Sequence, residues 1–263
     1  MPPFLSRILV AAAGIPIVLG LLYLGGWWLF GLVALAALVA LHEFYGMARP
    51  LRPLVLAGYV GVGSALVGAQ LGGIEWMLAG FLVTFLVAFF LFLLARTRAP
   101  ATVAISGTIL GAAWIGLGLG CVLLLRDFPH HGRLTAFAVL IAVWADDTAA
   151  YLVGRLLGRH KFSPALSPAK TWEGFLAGTA AAVFVTFVAL YDEDFLSIPE
   201  SLALGAVVAI AGALGDLFES ALKRDLQVKD SGTLLAGHGG MLDRVDALLF
   251  AVPAAYFTVL ALT

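Results

Sequence analysis

Long apolar stretches alternate with short polar breaks along almost the whole chain. Nine of these stretches approach or exceed the roughly 17 to 25 residues that a helix needs to cross about 30 Å of hydrocarbon. They fall at residues 8–24, 27–41, 54–72, 76–95, 99–125, 134–154, 174–191, 201–222 and 245–262. Because helices satisfy their own backbone polar groups in lipid, the pattern predicts an all-α polytopic membrane bundle of about nine transmembrane helices.

The composition supports a membrane protein. Hydrophobic residues make up 62% of the 263 residues and charged residues only 12%, and the mean hydropathy is +1.04. These values lie far outside the range of soluble globular proteins. The single cysteine, Cys121, excludes an intrachain disulfide.

Basic residues are distributed unevenly between the two sides that nine spans define. Thirteen lie at the N-terminus or in the even-numbered loops, and two lie on the opposite side. Because cytoplasmic loops are enriched in Lys and Arg, the N-terminus is predicted to be cytoplasmic. Topology already accounts for these charges, so we expect no nucleic-acid partner.

Charged residues concentrate near the end of the chain, where ten lie between Asp216 and Asp246. Asp216, Glu219 and Lys223 have the spacing i, i+3 and i+7, which places them on one face of the eighth span. Carboxylates below a membrane surface are costly unless they are paired, hydrated or bound to a cation. This face is therefore either a helix-terminal ion pair between Glu219 and Lys223 or part of a functional site.

Two further acids, Asp243 and Asp246, lie three residues apart at the start of the ninth span. One interpretation is an N-cap followed by an acidic first turn, which the helix dipole favours. The other is a metal site, because Asp216 ends a helix on the same membrane side. Three converging carboxylates would suit Mg²⁺, which takes oxygen ligands and shares them with phosphates.

The loop between these acids is rich in glycine. Gly237, Gly239 and Gly240 permit close backbone approach, so their N–H groups can surround a polyphosphate. His238 and Lys229 add further donors or positive charge. Carboxylates for a metal, next to a shell of glycines and cations for phosphate, form a more specific signal than a glycine turn alone.

A second polar cluster interrupts the sixth span. Asp146 and Asp147 are adjacent acids at membrane depth, and a functional or ion-linked role is predicted for at least one of them. The basic loop that follows contains Lys170, either as a positive-inside anchor or as a phosphate ligand. Earlier in the chain, His42 and Glu43 fit interfacial anchors as well as ligands.

The stretch "SALKRDLQVKDSGTLLAGHGGMLDRVD", residues 220–246, closely resembles the signature of phosphatidate cytidylyltransferases, also called CDP-diacylglycerol synthases. Ala236 stands where that signature has proline. The upstream stretch "DDTAAYLVGRLLGRHKFSPALSPAKTWEG", residues 146–174, resembles two further segments of the family. The first of these segments aligns with Asp147, and the second with Ser167 and Lys170.

The resemblance implies that CTP and phosphatidic acid react to give CDP-diacylglycerol and pyrophosphate. It implies Mg²⁺, with a monovalent cation such as K⁺ beside it, and we expect Asp216, Asp243 and Asp246 to ligate the metal. The catalytic residues predicted in this way are Asp216, Lys223, Lys229, His238, Asp243 and Asp246. The predicted substrate-binding residues are Asp147, Ser167, Lys170, Arg224, Gly239, Gly240 and Arg244.

We expect residues 1–130 to form a scaffold of N-terminal spans, with surfaces for membrane lipids or for a second copy in a homodimer. Residues 131–263 are expected to form the catalytic region, with two cytoplasmic motif loops. The predicted location is a bacterial inner (plasma) membrane, with the active site facing the cytoplasm. An ion-coupled transporter is the alternative from another class, because intramembrane acids also serve cation pathways, but no inverted repeat supports it.

The distribution of basic residues generates a topology prediction. A reporter fused after Thr263 should lie outside the cytoplasm, whereas a reporter inserted near Lys161 should lie inside it. Paired alkaline phosphatase and fluorescent-protein fusions measure both positions. Reporters that indicate the same side for both positions would contradict the nine-span arrangement.

Overall fold

The computed structural model describes residues 3–94, 100–232 and 239–263, with side chains from residue 12 onward. Ten α-helices account for most of these residues: α1 Pro3–Leu24, α2 Gly26–Met47, α3 Val55–Leu94, α4 Ala101–Gly111, α5 Gly118–Arg126, α6 Gly132–Leu157, α7 Trp172–Leu190, α8 Ile198–Asp225, α9 Leu242–Val245 and α10 Leu248–Leu262. The shorter elements are a 3₁₀ turn at Arg49–Leu51, a π-helical stretch at Ala112–Leu117, and the strands β1 Lys161–Ser163 and β2 Ser167–Thr171.

The all-α, polytopic membrane architecture is confirmed, but the count of nine spans is not. Seven helices of the described chain are long and apolar enough to cross a membrane: Gly26–Met47, Val55–Leu94, Ala101–Arg126, Gly132–Leu157, Trp172–Leu190, Ile198–Asp225 and Leu242–Leu262. In α1, only the shorter apolar segment Ala12–Leu24 is described with side chains. The other difference lies in α3, which contains two of the predicted spans.

The α3 helix is bent back on itself. Gly72 and Gly73 have non-helical dihedral angles, and Gly73 has φ of 72°, a conformation that glycine adopts without steric cost. The Ser64 hydroxyl donates a 2.8 Å hydrogen bond to the Gly80 carbonyl, across the bend. Residues 55–71 and 74–94 therefore form two packed helical arms, which agree with the two apolar stretches of the sequence.

The chain divides into two compact units. The first contains Met1–Asp127 and Asp225–Val245, and the second contains Phe128–Arg224 and Asp246–Thr263. The glycine-rich signature loop thus groups with the N-terminal helices. The assignment of residues 1–130 to a scaffold and of residues 131–263 to a catalytic region stays a prediction.

In the first unit, the end of α2 is fixed by hydrogen bonds to neighbouring helices. The Tyr45 hydroxyl donates to the Thr108 carbonyl at 2.8 Å, and the Thr108 hydroxyl accepts the Leu54 N–H at 2.7 Å. Phe44 is fully buried beside Tyr45. These contacts make the last turns of α2 a firm support for any group that they carry.

In the second unit, α6 packs closely along α7, and the β1–β2 hairpin connects them. The strands pair antiparallel, with Lys161 opposite Thr171. Thr171 then caps α7, because its side chain accepts the Gly174 N–H. The sequence predicts a basic loop here, with Ser167-Pro168 or Thr171 as the start of the next helix. The structure places the start at Thr171 and adds the hairpin, so Lys170 lies on a strand.

The close packing of the α3 arms generates a stability prediction. A Cβ at Gly80 would overlap the Ser64 carbonyl group, which is backbone and cannot rotate away. Gly80→Ala should therefore destabilise the protein by about 1 to 3 kcal/mol, as overpacking of a tight contact does. The midpoint of thermal unfolding in detergent measures this effect.

Gly63→Ala is the matched control, because a Cβ at Gly63 has no neighbour within 4 Å. It adds the same methyl group to the same helix and should leave the midpoint unchanged. Equal midpoints for the two variants would contradict the packed arrangement of the arms.

Candidate functional site

Lys170 and Asp216 form the central ion pair of the second unit. The Lys170 Nζ contacts Asp216 Oδ2, and the two side chains are 28% and 24% exposed. Lys170 reaches this position from β2, while Asp216 lies nine residues before Asp225, the last residue of α8. The pairing favours a site role for Lys170 over a simple positive-inside anchor.

Asp146 lies on α6 against the same pair. Its carboxylate is buried and close enough to Asp216 and Lys170 for their charges to interact. A Cβ at Gly178 of α7 would overlap Asp146 Oδ1, so glycine is what lets α7 approach this acid. The neighbouring Asp147 is exposed. Of the two adjacent acids, Asp146 thus belongs to the acidic cluster.

Asp246 approaches the cluster from the start of the last helical segment. Its carboxylate interacts with Asp216 and is within hydrogen-bonding range of Glu219. The backbone of residue 246 lies close to α8, since a Cβ at Gly215 would be 2.5 Å from the Asp246 carbonyl oxygen. Lys223 Nζ lies 2.6 Å from Glu219 Oε2, so the ion pair expected as one alternative is present.

Asp146 and Asp216 line a cavity of about 580 Å³ within the second unit. Both Asp146 and Asp147 line it, together with the cations Arg155, Lys161 and Lys170. A volume of this size is typical of small-molecule sites. Opposite charges on its walls make the cavity suitable for an anionic ligand accompanied by a cation.

One wall of the cavity is aromatic. Phe162 of the hairpin stacks on Phe175 of α7 with ring centroids 5.1 Å apart, and both rings line the cavity. The Arg155 guanidinium donates a 2.7 Å hydrogen bond to the Tyr151 hydroxyl. An apolar wall next to cations suits an amphipathic ligand or a ligand with a planar ring.

The signature segment in the first unit is organised by Asp243. Its Oδ2 accepts the Gly240 N–H at 2.8 Å, and its Oδ1 accepts the Ser231 N–H at 3.4 Å. Gly239 has φ of 79°, a conformation that favours glycine. Asp243 thus lies in the first turn of α9, and its side chain binds backbone N–H groups of the preceding segment instead of capping the helix that follows.

The other predicted site residues are less tightly placed. Lys229, Arg224 and Arg244 are exposed, and Ser167 is partly exposed at the start of β2. His238 and the neighbouring Gly237 and Ala236 lie outside the described residues. Their predicted roles stay predictions.

A metal site is not assembled in full within either unit. Among the residues that the structure describes, no group of three or more His, Cys, Asp or Glu side chains is arranged to hold a metal ion. Asp216 and Asp246 belong to the second unit and interact there, whereas Asp243 belongs to the first. Their oxygen atoms are nevertheless the donors that Mg²⁺ prefers.

Sequence reasoning did not identify several of these residues as site residues. Arg155 and Lys161 were counted only for topology, although both line the cavity. Phe162 gave no signal, because a single aromatic residue in a polar loop has no distinctive spacing. Glu43 was left undecided, and its role depends on a contact with a residue 199 positions away.

The apolar helices and the charged cavity together define an integral membrane enzyme. The chain belongs to the cytidylyltransferase family, whose model matches residues 5–262. A phosphatidate cytidylyltransferase of Staphylococcus haemolyticus is 37% identical over 257 residues, which cover 94% of this chain and 95% of that protein. One from Synechocystis is 32% identical over 291 residues, covering 98% and 97% of the two chains.

The ion pair in the second unit generates a stability prediction. Lys170→Met removes the cation that compensates Asp216 and the nearby Asp146, so the protein should lose about 1 to 3 kcal/mol of unfolding free energy. Adding Asp216→Asn should recover part of this loss. Unfolding measurements on both single variants and the double variant give the coupling energy.

Lys161→Met is the control, because it removes an exposed cation from the same hairpin and should change stability by less than about 0.5 kcal/mol. Additive effects of Lys170→Met and Asp216→Asn would show that the two side chains are not coupled.

Proposed function

We propose that this protein transfers the cytidylyl group of CTP to phosphatidic acid, giving CDP-diacylglycerol and pyrophosphate. The observation that carries the proposal is the cavity of about 580 Å³, which brings acids and cations together among apolar helices. Its relatives named phosphatidate cytidylyltransferase match this chain over nearly their whole length. A reaction between a lipid phosphate and a nucleotide needs such a site at a membrane.

The reaction does not require a general base. A phosphatidate oxygen is already anionic at neutral pH, and it forms the new bond to the α-phosphorus of CTP. The bond between the α-phosphorus and its bridging oxygen to the β-phosphate breaks, and pyrophosphate leaves with that electron pair. The protein must therefore align two anions and stabilise the charge on the leaving group.

The cations of the cavity suit this task. Lys170, Arg155 and Lys161 come from three places around the cavity and can contact phosphate oxygens from different directions. In the described arrangement Lys170 is held by Asp216, which fixes its position before an anion arrives. The aromatic wall at Phe162 and Phe175 provides an apolar surface for the remainder of a substrate.

We further propose that Asp216, Asp243 and Asp246 bind Mg²⁺. In support, the carboxyl groups of Asp216 and Asp246 lie close enough to interact, and a divalent cation would neutralise negative charge gathered there. Bound Mg²⁺ would supply charge neutralisation for the triphosphate. The monovalent cation implied by the family resemblance stays a prediction, as does a homodimer.

The location proposed is a bacterial inner membrane, with the site on the cytoplasmic side. In support, CTP is a cytoplasmic nucleotide, and Lys161 and Lys170 lie in a basic loop of the kind enriched on that side. Phosphatidate would enter from the lipid that surrounds the apolar helices.

Turnover by the detergent-purified protein tests the function. With CTP labelled at the α-phosphate, lipid-extractable label and pyrophosphate should form in equal amounts only when phosphatidate and Mg²⁺ are present. A transporter would consume no CTP, and hydrolysis of CTP that does not depend on phosphatidate would contradict the proposal. A CDP-alcohol phosphotransferase, a rival enzyme class whose D-G-x2-A-R pattern is absent from this sequence, would also consume no CTP.

Asp246→Asn serves as the matched inactive variant. It keeps the size of the side chain but removes one charge, so turnover should fall by about 100-fold or more if the residue supports charge stabilisation. Its thermal midpoint should not decrease, because the change relieves repulsion with Asp216 and Glu219. Wild-type activity in this variant would exclude Asp246 from the metal site.

A further inference from the structure

Glu43 is a buried carboxylate in a membrane-spanning helix. It lies four residues before the end of α2, and only 4% of the residue is exposed. An ionisable group in such a position is costly and marks a functional site by default, because an apolar residue would fill the same space without the cost. The neighbouring His42 is exposed and contacts Tyr59, so the two polar residues of this pair have different surroundings.

Described residues of the signature segment lie against the Glu43 carboxylate. Glu43 Oε2 accepts the Leu242 N–H at 2.8 Å. A Cβ added at Gly232 would lie 2.5 Å from Glu43 Oε1, and one added at Gly240 would lie 2.6 Å from Oε2. Backbone from both ends of the glycine-rich loop thus lies against a single side chain of α2.

These contacts bear directly on Asp243. Leu242 begins α9 and immediately precedes Asp243, while Gly240 donates its N–H to Asp243 Oδ2. Glu43 therefore binds the backbone of the residue just before Asp243 and lies against Gly240, whose N–H Asp243 accepts. Both neighbours of the Asp243 carboxylate are thus in contact with Glu43.

The support that carries Glu43 is itself firm. Phe44 and Tyr45 follow it in the sequence and are buried, and the Tyr45 hydroxyl is bonded to the Thr108 carbonyl of α4. Because the helix end is fixed, its carboxylate is fixed as well, and the loop backbone that binds the carboxylate is held in one place. This arrangement is what preorganisation of a functional segment requires.

We propose that Glu43 is a positioning residue for cytidylyl transfer. It acts through the loop backbone, by accepting the Leu242 N–H and seating Gly232 and Gly240, and it does not touch the substrate. What it supplies is a hydrogen-bond acceptor of the right length, so the negative charge itself is not required. The inference rests on the proposed function, since its readout is CTP turnover.

Two substitutions separate an acceptor from a charge. Glu43→Gln keeps a carbonyl acceptor and should retain kcat within about threefold of the wild type. Glu43→Met has similar length and no acceptor, so kcat should fall by about tenfold or more, with little change in KM for CTP. The thermal midpoint of Glu43→Met should be unchanged or higher, because an apolar side chain replaces a buried charge.

Each other outcome overturns the inference. Normal turnover in Glu43→Met would mean that the contact has no effect on the reaction. Equal losses in Glu43→Gln and Glu43→Met would indicate that the charge is needed, and a loss that follows a lowered midpoint would indicate a structural role only. Glu75→Gln, at an exposed acid of the same unit, is the control and should behave as the wild type.

A second-site test examines the contact itself. Gly232→Ala should lower kcat, because all three nearest atoms to the new Cβ belong to Glu43. In a Glu43→Ala background those atoms are absent, so adding Gly232→Ala should cost less than about twofold more. If Gly232→Ala lowers kcat by the same factor in the Glu43→Ala background as in the wild type, the inference is overturned. An inactive wild-type protein would instead refute the proposed function, which keeps the two failures distinct.

Discussion

The second unit depends on how three neighbouring carboxylates are kept in an apolar environment. Asp146 and Asp246 each lie close enough to Asp216 for the charges to interact. Water cannot stabilise such charges inside a helical bundle as it does at a surface, so the protein must supply compensation. Lys170 provides it for Asp216 and Asp146, and it does so from the β1–β2 hairpin. Thr171, the next residue, caps α7, so the strand that carries Lys170 is fixed to the start of that helix.

Glycine is the second device that brings acids and backbone together. Gly178 lets α7 approach Asp146, and Gly215 lets α8 approach the backbone of Asp246. Gly232 seats the signature loop on Glu43 in the other unit. In each case a Cβ would occupy the space next to the acid, so a small residue on one element permits a polar residue on its neighbour. These three glycines therefore mark places where another element packs against an acidic residue.

Hydropathy predicted the spans well, because the length of an apolar stretch measures directly what the bilayer requires. It also located Asp216 and the pair Asp146 and Asp147 as acids at membrane depth, but it could not choose between the two members of the pair. Lys170 was singled out by the family resemblance. Adjacent helix positions point in directions about 100° apart, and only packing against α7 decides which one is buried. Glu43 was undecidable for another reason, since its partner Leu242 is 199 positions away and contributes a backbone N–H that leaves no signature in the sequence. Arg155 and Lys161 were overlooked because the positive-inside rule already explained them.

Backbone binding by Asp243 is compatible with metal binding. In the structure its oxygens accept the N–H groups of Gly240 and Ser231. A carboxylate has two oxygens, each able to accept more than one bond, so such contacts do not in themselves exclude a cation. The N–H bonds also fix the carboxylate in one orientation, which is what a ligand needs if binding is not to order a flexible side chain. Binding of the loop backbone and the proposed binding of Mg²⁺ thus place compatible demands on Asp243: the loop fixes the orientation of its carboxylate, and Glu43 is proposed to position the loop.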